Sequence, residues 1–297
     1  MGQFTKQMPA AEFEALFPDD DACKAYLVRR RWPEGVRCPR CGNQAVYPVT
    51  NRPFHWQCTR CAKAGGYRFS VLVGTIFENT NIALRTWFKV IYLMLTSKKG
   101  VSALQVQRMM GFGSYSTAHY MCHRIRAGLS DPEFRKLMGI VEVDETYVGG
   151  KNKNRHWDKK QPGTGSANKM VVAGAVERKG SVVARVIERT DTDTMDAFVG
   201  EAVSNKVSLV ATDEHGAYHR LAKRYPHGYV AHQRGQYVNG AVHTQTIDGF
   251  WSLLKRGIVG TFHKVSKKYL PLYVAEFEFR YNNRNNPDIF GSAVARC

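Results

Sequence analysis

Acidic residues are scarce in this chain of 297 residues: 25 Asp and Glu stand against 43 Lys and Arg, which leaves a formal net charge of +18. A basic surplus of this size attracts a polyanion, because every phosphate that a Lys or Arg neutralises releases a counterion. An inert basic surface is the alternative. The charge alone does not distinguish DNA from RNA or from an acidic membrane.

Long apolar runs are also absent. The most apolar helix-like stretch, Trp87–Leu95, contains Lys89 and is too short to cross a bilayer, and the N-terminus lacks an apolar secretory core. The chain has no internal repeat and no low-complexity tract, and its apolar content of 43% is ordinary for a globular protein. We therefore expect a globular, cytoplasmic protein without a membrane partner.

The seven cysteines are an uneven total, and four of them form two Cys-x2-Cys pairs separated by 16 residues. This clustering is typical of a metal site in a reducing cytoplasm rather than of a disulfide framework. Two such turns complete a tetrahedral shell of four thiolates, which favours a structural zinc ion because no coordination position stays open. An iron–sulfur cluster or unrelated buried thiols are the alternatives. The predicted zinc ligands are Cys38, Cys41, Cys58 and Cys61, and the remaining thiols, Cys23, Cys122 and Cys297, are interpreted as structural.

Basic and aromatic residues surround the cysteine pairs, a combination that suits docking on DNA better than a plain solvated surface. The basic members are Arg37, Arg40, Arg52, Arg60, Lys63 and Arg68, and the rings are His55, Trp56 and Tyr67. This segment is therefore a candidate DNA contact.

A helix pair is predicted at residues 101–110 and 115–128, joined by a short Gly-containing link as in a helix-turn-helix. The apolar side of the first helix would comprise Val101, Leu104, Val106 and Met109. The apolar side of the second helix would comprise Tyr115, Ala118, Met121 and Ile125. This helix would expose Ser116, Thr117, His119, His123, Arg124 and Arg126, which could face a DNA groove. Many helical hairpins bind nothing, and His119 with His123 is interpreted as a surface pair rather than a metal site.

Apolar, β-branched runs begin after Pro132 and indicate strands. The predicted order is strand, strand, strand, helix, strand, helix, strand, helix. The strands are placed near 141–144, 171–177, 181–188, 209–213 and 229–232, and two of the helices near 193–203 and 246–259. Residues 5–31 are predicted to be helical as well. The second half is therefore of the α/β class, a mixed sheet with flanking helices.

Two carboxylates stand out in this second half, because Asp144 lies in its first strand and Asp213 ends its fourth. In a ribonuclease-H-like sheet these strands are neighbours, so the carboxylates would converge and repel unless a cation lay between them. Magnesium, or manganese, suits such oxygen ligands. Two such ions can activate a water or a 3′ hydroxyl and stabilise the leaving oxygen in an in-line attack on phosphorus, so the expected enzyme is a two-metal polynucleotidyl transferase.

A third carboxylate usually completes such a site, and the candidate is Asp248. On a helix Lys255 would lie two turns further along the same stripe, where it could contact a phosphate. Gln245, one turn earlier, could also reach the stripe. The buried face of this helix would comprise Ile247, Phe250, Trp251, Leu254 and Ile258. A lone Asp at a strand end is more often a cap, and the neighbouring carboxylates Glu142, Glu145 and Glu214 are alternative ligands. Glu142 shares the Asp144 face of the strand, whereas Glu145 faces the other way in a regular strand and ranks lower.

Three acidic blocks in order resemble bacterial insertion-sequence transposases of the DDE type, in the group with an N-terminal zinc ribbon. The blocks are Val143–Lys151, Thr212–Tyr218 and His243–Gly257, and Trp32-Pro33 and Phe279–Asn282 are similar too. Asp144 and Asp213 match the first two acidic positions. At the third, Asp248 stands where the family pattern has Glu, and Gln245 stands where Asn is common.

This resemblance implies a ribonuclease-H-like fold, divalent-metal catalysis and binding to the terminal inverted repeats of the element. The expected protein cleaves double-stranded DNA at the element ends and transfers the freed strand into target DNA, as at least a dimer on DNA, in the nucleoid. The expected catalytic residues are Asp144, Asp213, Asp248 and Lys255. A structure-selective nuclease on the same fold and a domesticated DNA-binding protein are the alternatives.

The expected domains are a helical segment (1–32), a zinc ribbon (33–72), a helical DNA-binding region (73–135) and a ribonuclease-H-like catalytic domain (136–297).

Overall fold

The computed structural model describes residues 8–61, 66–131, 133–149, 169–231 and 238–297. They group into two compact units, Met1–Leu129 with Arg284–Cys297, called unit 1, and Ser130–Asn283, called unit 2. Within the described residues, no helix combines the length and the apolar character needed to span a membrane. Lys63, Gly150, Lys151 and His232, which belong to predicted features, lie outside the described residues.

Unit 1 contains six helices among its described residues, with a small sheet between the second and the third. The helices are α1 (Ala10–Leu16), α2 (Asp20–Arg31), α3 (Leu84–Thr96), α4 (Ala103–Met110), α5 (Tyr115–Gly128) and, later in the chain, α9 (Ile289–Arg296). The strands are β1 (Val46–Pro48), β2 (His55–Cys58) and β3 (Tyr67–Ser70), paired antiparallel in that order.

The stretch predicted to be helical over 5–31 contains two helices among its described residues, because α1 ends before Pro18 and α2 begins after Asp19. Proline restrains the residue before it to extended conformations, and the Asp19 side chain caps the new helix by accepting from the amide of Ala22. Phe13 and Phe17 then pack with Phe88 and Phe290 in an aromatic cluster. Phe290 lies on α9, which explains why residues 284–297 group with unit 1 although the predicted catalytic domain extended to 297.

The helix pair is present as α4 and α5, linked by residues 111–114, with Gly111 in the left-handed conformation that ends α4. Its exposure differs from the prediction. Leu104, Met109 and Tyr115, predicted on the apolar sides, are exposed at 45%, 51% and 49%, whereas His123 and Arg126 are buried at 8% and 2%. The buried stripe of α5 is wider than predicted because α5 packs against both α3 and α4.

Unit 2 is built on a five-stranded mixed sheet in the order β6-β5-β4-β7-β8. Strands β4, β5 and β6 pair antiparallel, while β4 with β7 and β7 with β8 are parallel. The strands are β4 (Ile140–Val148), β5 (Met170–Glu177), β6 (Val182–Ile187), β7 (Leu209–Asp213) and β8 (His227–Val230), and the helices are α6 (Thr192–Ala202), α7 (Gln245–Gly257) and α8 (Leu270–Asn282).

Helices cover both faces of this sheet. Val141 and Val143 pack with Phe198 of α6 in one buried cluster. The opposite face carries Val172 and Val176 of β5, packed with side chains of α7 and α8 in a second cluster. Since side chains alternate along a strand, Glu142 and Asp144 point to the face that α7 covers. The expected α/β fold of the ribonuclease-H-like kind is confirmed.

The helix predicted between β7 and β8 was wrong. Two short 3-10 turns, Gly216–Tyr218 and Leu221–Lys223, occupy this link. Gly216 near the start of the link and Pro226 at its end disfavour a regular α-helix there. Helix α8 was not predicted as an element from the sequence.

Candidate active site and zinc site

The four paired cysteines come together in unit 1. Their sulfur atoms all lie within 4.8 Å of one another, with Cys38 Sγ 3.6 Å from Cys61 Sγ and Cys41 Sγ 3.8 Å from Cys58 Sγ. Zinc–sulfur bonds of about 2.3 Å in a tetrahedron place the sulfurs about 3.8 Å apart, so the thiolates fit a zinc ion.

The local backbone explains how the first pair of cysteines turns around a common point. Gly42 adopts φ +71° and its amide donates to the carbonyl of Cys38 at 2.9 Å. A residue with a side chain is strained in this conformation, so glycine suits the turn. Among the described residues, the small core of the ribbon has three fully buried members, Cys38, Cys58 and Phe69, and two of these are predicted metal ligands. The other hydrophobic residues packed against it, Trp32, Val36, Val46, Trp56, Tyr67 and Val73, are only partly buried, so the metal shell is a large part of what holds the ribbon together.

Asp144 lies in the middle of β4, on the face that α7 covers. Its Oδ2 accepts a hydrogen bond from the indole Nε1 of Trp251 at 2.8 Å. Directly across the sheet from Asp144 is Gly174 of β5. A Cβ atom there would lie 2.5 Å from the Trp251 ring, so the missing side chain provides the space for the indole. Trp251 therefore fixes the orientation of the Asp144 carboxylate.

Asp213 ends β7, the parallel neighbour of β4. Glu142 pairs with Ala211 in this register, so Asp144 and Asp213 each lie two residues further along on the same face. Oδ1 of Asp213 accepts from the amide of His215, which orients the carboxylate at the strand end. The predicted strand neighbourhood of these two residues is therefore present.

The electrostatics of Asp144 reflect this crowding. Burial, followed by the charges of Glu145 and Asp213, raises the pKa of Asp144 to about 7, against an opposing contribution from the Trp251 hydrogen bond. Burial and neighbouring negative charges disfavour the ionised form of such a carboxyl group, and a bound cation would stabilise that form.

Glu142 has a different role from that of a metal ligand. Its side chain is fully buried, and its two oxygens accept from Arg178 Nε at 2.6 Å, from Thr246 Oγ1 at 2.8 Å and from the amides of Thr246 and Ile247 at 2.7 and 3.1 Å. His243 Nδ1 also lies 3.2 Å from Oε1. These donors occupy the carboxylate, so Glu142 is not available to a metal ion.

The contacts of Glu142 replace a missing helix cap. Thr244, at the N-cap of α7, makes no side-chain capping hydrogen bond, so the first amides of the helix need another acceptor. Glu142 supplies it from β4 and places a negative charge at the positive end of the helix dipole. Helix α7 is thus fastened to β4 at Glu142 and again at Asp144, through Trp251.

Glu145 faces the other side of the sheet, as the strand alternation predicts. Its Oε2 accepts from the hydroxyl of Tyr218 at 2.5 Å. Burial and the nearby Glu145 carboxylate raise the pKa of Tyr218 well above its usual range, so the phenol stays protonated. Glu145 is therefore a structural acceptor on the α6 face rather than a neighbour of Asp144 within one site.

Asp248, Lys255 and Gln245 are all exposed on α7. Within the described residues, the cysteine quartet is the only group of three or more His, Cys, Asp or Glu side chains whose ligand atoms lie within 4.8 Å of one another. Asp144, Asp213 and Asp248 therefore do not form a closed group of three, and the role of Asp248 as third ligand stays a prediction. The buried face of α7, Ile247, Phe250, Trp251 and Leu254, is as predicted.

The packing of Gly174 against Trp251 leads to a testable prediction. In Gly174→Ala the added methyl group meets the indole, and we expect a loss of about 1–3 kcal/mol in the free energy of unfolding. The matched control is Gly249→Ala on α7, where a Cβ meets nothing within 4 Å and helix propensity predicts a gain of up to about 1 kcal/mol. Urea unfolding of both variants checks the pair, and equal stabilities would contradict the packing described for Gly174.

Comparison with known families identifies the chain. A family model for the ISXO2-like transposase domain matches residues 136–282, and a model for the transposase zinc-ribbon domain matches residues 18–64. The chain belongs to this family of insertion-sequence transposases. The resemblance inferred from the three acidic blocks is confirmed, and the zinc-ribbon match together with the cysteine geometry supports a structural zinc ion in this transposase.

Two further likenesses accompany the family match. An uncharacterized protein in transposable element ISH50 of Halobacterium salinarum is 29% identical over 272 residues, which cover 86% of this chain and 88% of that protein. A chain in the cryo-electron-microscopy structure of the simian T-cell lymphotropic virus intasome, in complex with a PP2A regulatory subunit, is 16% identical, with a TM-score of 0.29 over 59% of this transposase and 67% of that chain. A TM-score this low does not establish a shared fold.

Sequence patterns did not reveal two contributors to the site. Trp251 was recognised only as a buried residue of α7, and Glu142 only as a possible substitute ligand. Both act on partners more than a hundred residues away along the chain, and spacing arguments do not reach that far. The pairing of Gly174 with Asp144 could be found only once the strand register was known.

Proposed function

We propose that this transposase cleaves double-stranded DNA at the ends of its insertion sequence and joins the freed 3′ end to target DNA, with a divalent metal at Asp144 and Asp213. The observation that carries the proposal is the position of these two carboxylates, on neighbouring parallel strands, at one face and beneath the helix that bears Asp248 and Lys255. Both steps are phosphoryl transfers that one site can perform in turn.

The donor set fits magnesium or manganese. Carboxylate oxygens are the ligands that these hard cations prefer, and Trp251 fixes the orientation of the Asp144 carboxylate. When bound, the metal would supply Lewis-acid activation of the attacking oxygen and stabilisation of the leaving oxygen. Asp248 is the proposed third ligand. Because Asp is shorter than Glu by one methylene, a water between Asp248 and the metal is part of the proposal.

The protein's own groups provide position and charge. Glu142 and Trp251 fasten α7 to β4, which sets the distance between the ligands on the strands and the side chains on the helix. The Lys255 ammonium, two turns beyond Asp248, would contact a phosphate near the scissile bond. In the first step a water oxygen bonds to phosphorus and the 3′ oxygen leaves with a proton. In the second step that 3′ oxygen bonds to a target phosphorus and a target 3′ oxygen leaves.

Unit 1 is proposed to recognise the element end. The ribbon carries exposed basic residues, including Arg40, whose guanidinium stacks 4.1 Å from the ring centroid of Tyr67. The exposed rings of Tyr115 and Tyr120 on α5 offer further contacts to DNA. Since two ends must be joined in one event, the active form on DNA is proposed to be at least a dimer.

A DNA-binding protein without catalytic activity is the second candidate, and one observation favours it. Asp248 departs from the family pattern and does not close a three-carboxylate group with Asp144 and Asp213. A structure-selective nuclease would differ in another respect, since it would cut DNA but not join it.

A strand-transfer assay separates these functions. A labelled, precut element end is incubated with a supercoiled plasmid and magnesium or manganese, and the transposase is expected to join the label to the plasmid. Cleavage of an uncut end without joining would identify a nuclease. Binding of the end with neither reaction would identify the non-catalytic protein.

A further inference from the structure

A second basic surface lies in unit 2, beside the proposed catalytic helix. From Gly249 to Ala275 the sequence contains no Asp or Glu. Within this stretch, residues 255–268, here called the basic segment, carry five Lys and Arg side chains, all of them exposed: Lys255, Arg256, Lys264, Lys267 and Lys268. The exposed His263 lies among them.

The charges of the basic segment are not neutralised by the part of the chain that the structure describes. Each described arginine of unit 2 other than Arg256 forms an ion pair with a carboxylate. No such pair involves the five cations of the basic segment among the described residues. Described lysines elsewhere in unit 2, such as Lys206 and Lys223, also lack an ion pair, but they are scattered along the chain, whereas the basic segment gathers five unpaired cations within fourteen residues that contain no Asp or Glu.

The backbone continues from α7 into a five-residue π-helix, Ile258–Phe262, and turns at His263, which adopts φ +58°. The π-helix presents Val259, which is 72% exposed, between Gly257 and Gly260. π-helical turns and left-handed non-glycine residues are uncommon and cluster at functional sites. An exposed apolar side chain flanked by unpaired cations suits the binding of a polyanion that also offers apolar surface. A DNA duplex has both properties.

We propose that the basic segment holds the phosphate backbone of target DNA during strand transfer. The inference rests on the proposed function, which requires a second duplex besides the element end. Lysine ammonium groups are point charges that neutralise phosphates without reading base sequence. Such contacts suit a target of arbitrary sequence, whereas the ribbon and the helix pair of unit 1 are proposed to read the end. The segment begins in the last turn of α7 and continues beyond it, so target bound there lies next to the proposed catalytic helix.

A pair of matched double variants tests the proposal. Lys267→Gln with Lys268→Gln removes two exposed charges from the basic segment. Lys206→Gln with Lys223→Gln removes two exposed charges from other surfaces of unit 2 and serves as the control. Three quantities are measured for the full-length protein: binding to a duplex of arbitrary sequence over a salt series, binding to the element end, and transfer of a precut end into plasmid.

For the segment variant we expect binding to the arbitrary duplex to weaken about 10- to 30-fold at 0.15 M salt, with a slope of log K on log salt shallower by about 1.8, because two phosphate contacts are lost. Strand transfer should fall with it, while end binding stays within about twofold of the parent. The control variant should behave as the parent does in all three measurements.

Three results would overturn the proposal: unchanged binding to the arbitrary duplex in the segment variant, an equal loss in the control variant, or a loss of end binding as large as the loss of strand transfer. The last result would assign the segment to the element end. A parent protein that performs no strand transfer would instead refute the proposed function. The salt series would then still decide whether the segment binds duplex DNA, since it needs no chemistry.

Discussion

Glu142→Gln is expected to lower the free energy of unfolding by about 3 kcal/mol, although the side chain keeps its shape. The substitution leaves the Arg178 guanidinium without its carboxylate and turns an amide NH2 toward donors at the start of α7, and breaking a buried ion pair in this way costs about 3–5 kcal/mol. For a unit of this size the loss corresponds to a fall of roughly 6–12 °C in Tm. Thermal and urea unfolding measure it.

The matched control is Glu177→Gln, at the end of β5. Glu177 pairs at 3.5 Å with Arg135, whose side chain is 77% exposed, and an exposed pair of this kind contributes about 1 kcal/mol or less. The capping role also predicts an activity effect that stability does not explain: at a temperature where the variant is folded, Glu142→Gln should need a higher metal concentration for half-maximal cleavage. A stability equal to that of Glu177→Gln would contradict the role assigned to Glu142.

Removal of zinc is expected to unfold the ribbon while leaving the sheet of unit 2 intact. The apparent binding energy of structural zinc, about 10–16 kcal/mol in small domains, far exceeds what three buried side chains can supply. We expect one zinc ion per chain in the parent and less than about a tenth of that in Cys58→Ser. Metal analysis gives the stoichiometry, and limited proteolysis should locate new cleavage between residues 37 and 70.

Cys297→Ser is the control for this experiment, since Cys297 is a buried thiol outside the quartet. Its zinc content should equal that of the parent. Binding to the element end should be lost in Cys58→Ser and after chelation, because the ribbon is proposed to contact that end. Retention of a protease-resistant ribbon without zinc would contradict the structural role of the metal.

The parts of the site that depend on short-range patterns could be predicted from sequence. The Cys-x2-Cys spacing located the four thiols that meet in unit 1. Strand alternation put Glu145 opposite to Asp144, and helical periodicity identified the buried face of α7. Such patterns are predictive because the period of a strand or helix is a local property of the backbone.

The predictions that failed concern residues whose surroundings depend on tertiary packing. The burial of His123 and Arg126 follows from two helices that pack against α5, which its own periodicity does not show. The Glu142 carboxylate is occupied by donors at the start of α7, among them the amide of Thr246, which lies 104 residues further along the chain. The break at Pro18, by contrast, is a local feature, because proline restrains the residue before it to extended conformations.

Metal-dependent cleavage of a labelled element end by the parent and by Asp144→Asn is the most direct test of the central claim, that Asp144 and Asp213 hold the catalytic metal. The asparagine keeps an oxygen for the Trp251 hydrogen bond but removes the negative charge. The account predicts cleavage by the parent with magnesium or manganese, a rate at least about 100-fold lower for Asp144→Asn, and unchanged end binding in both. Cleavage by Asp144→Asn at the parental rate would contradict it.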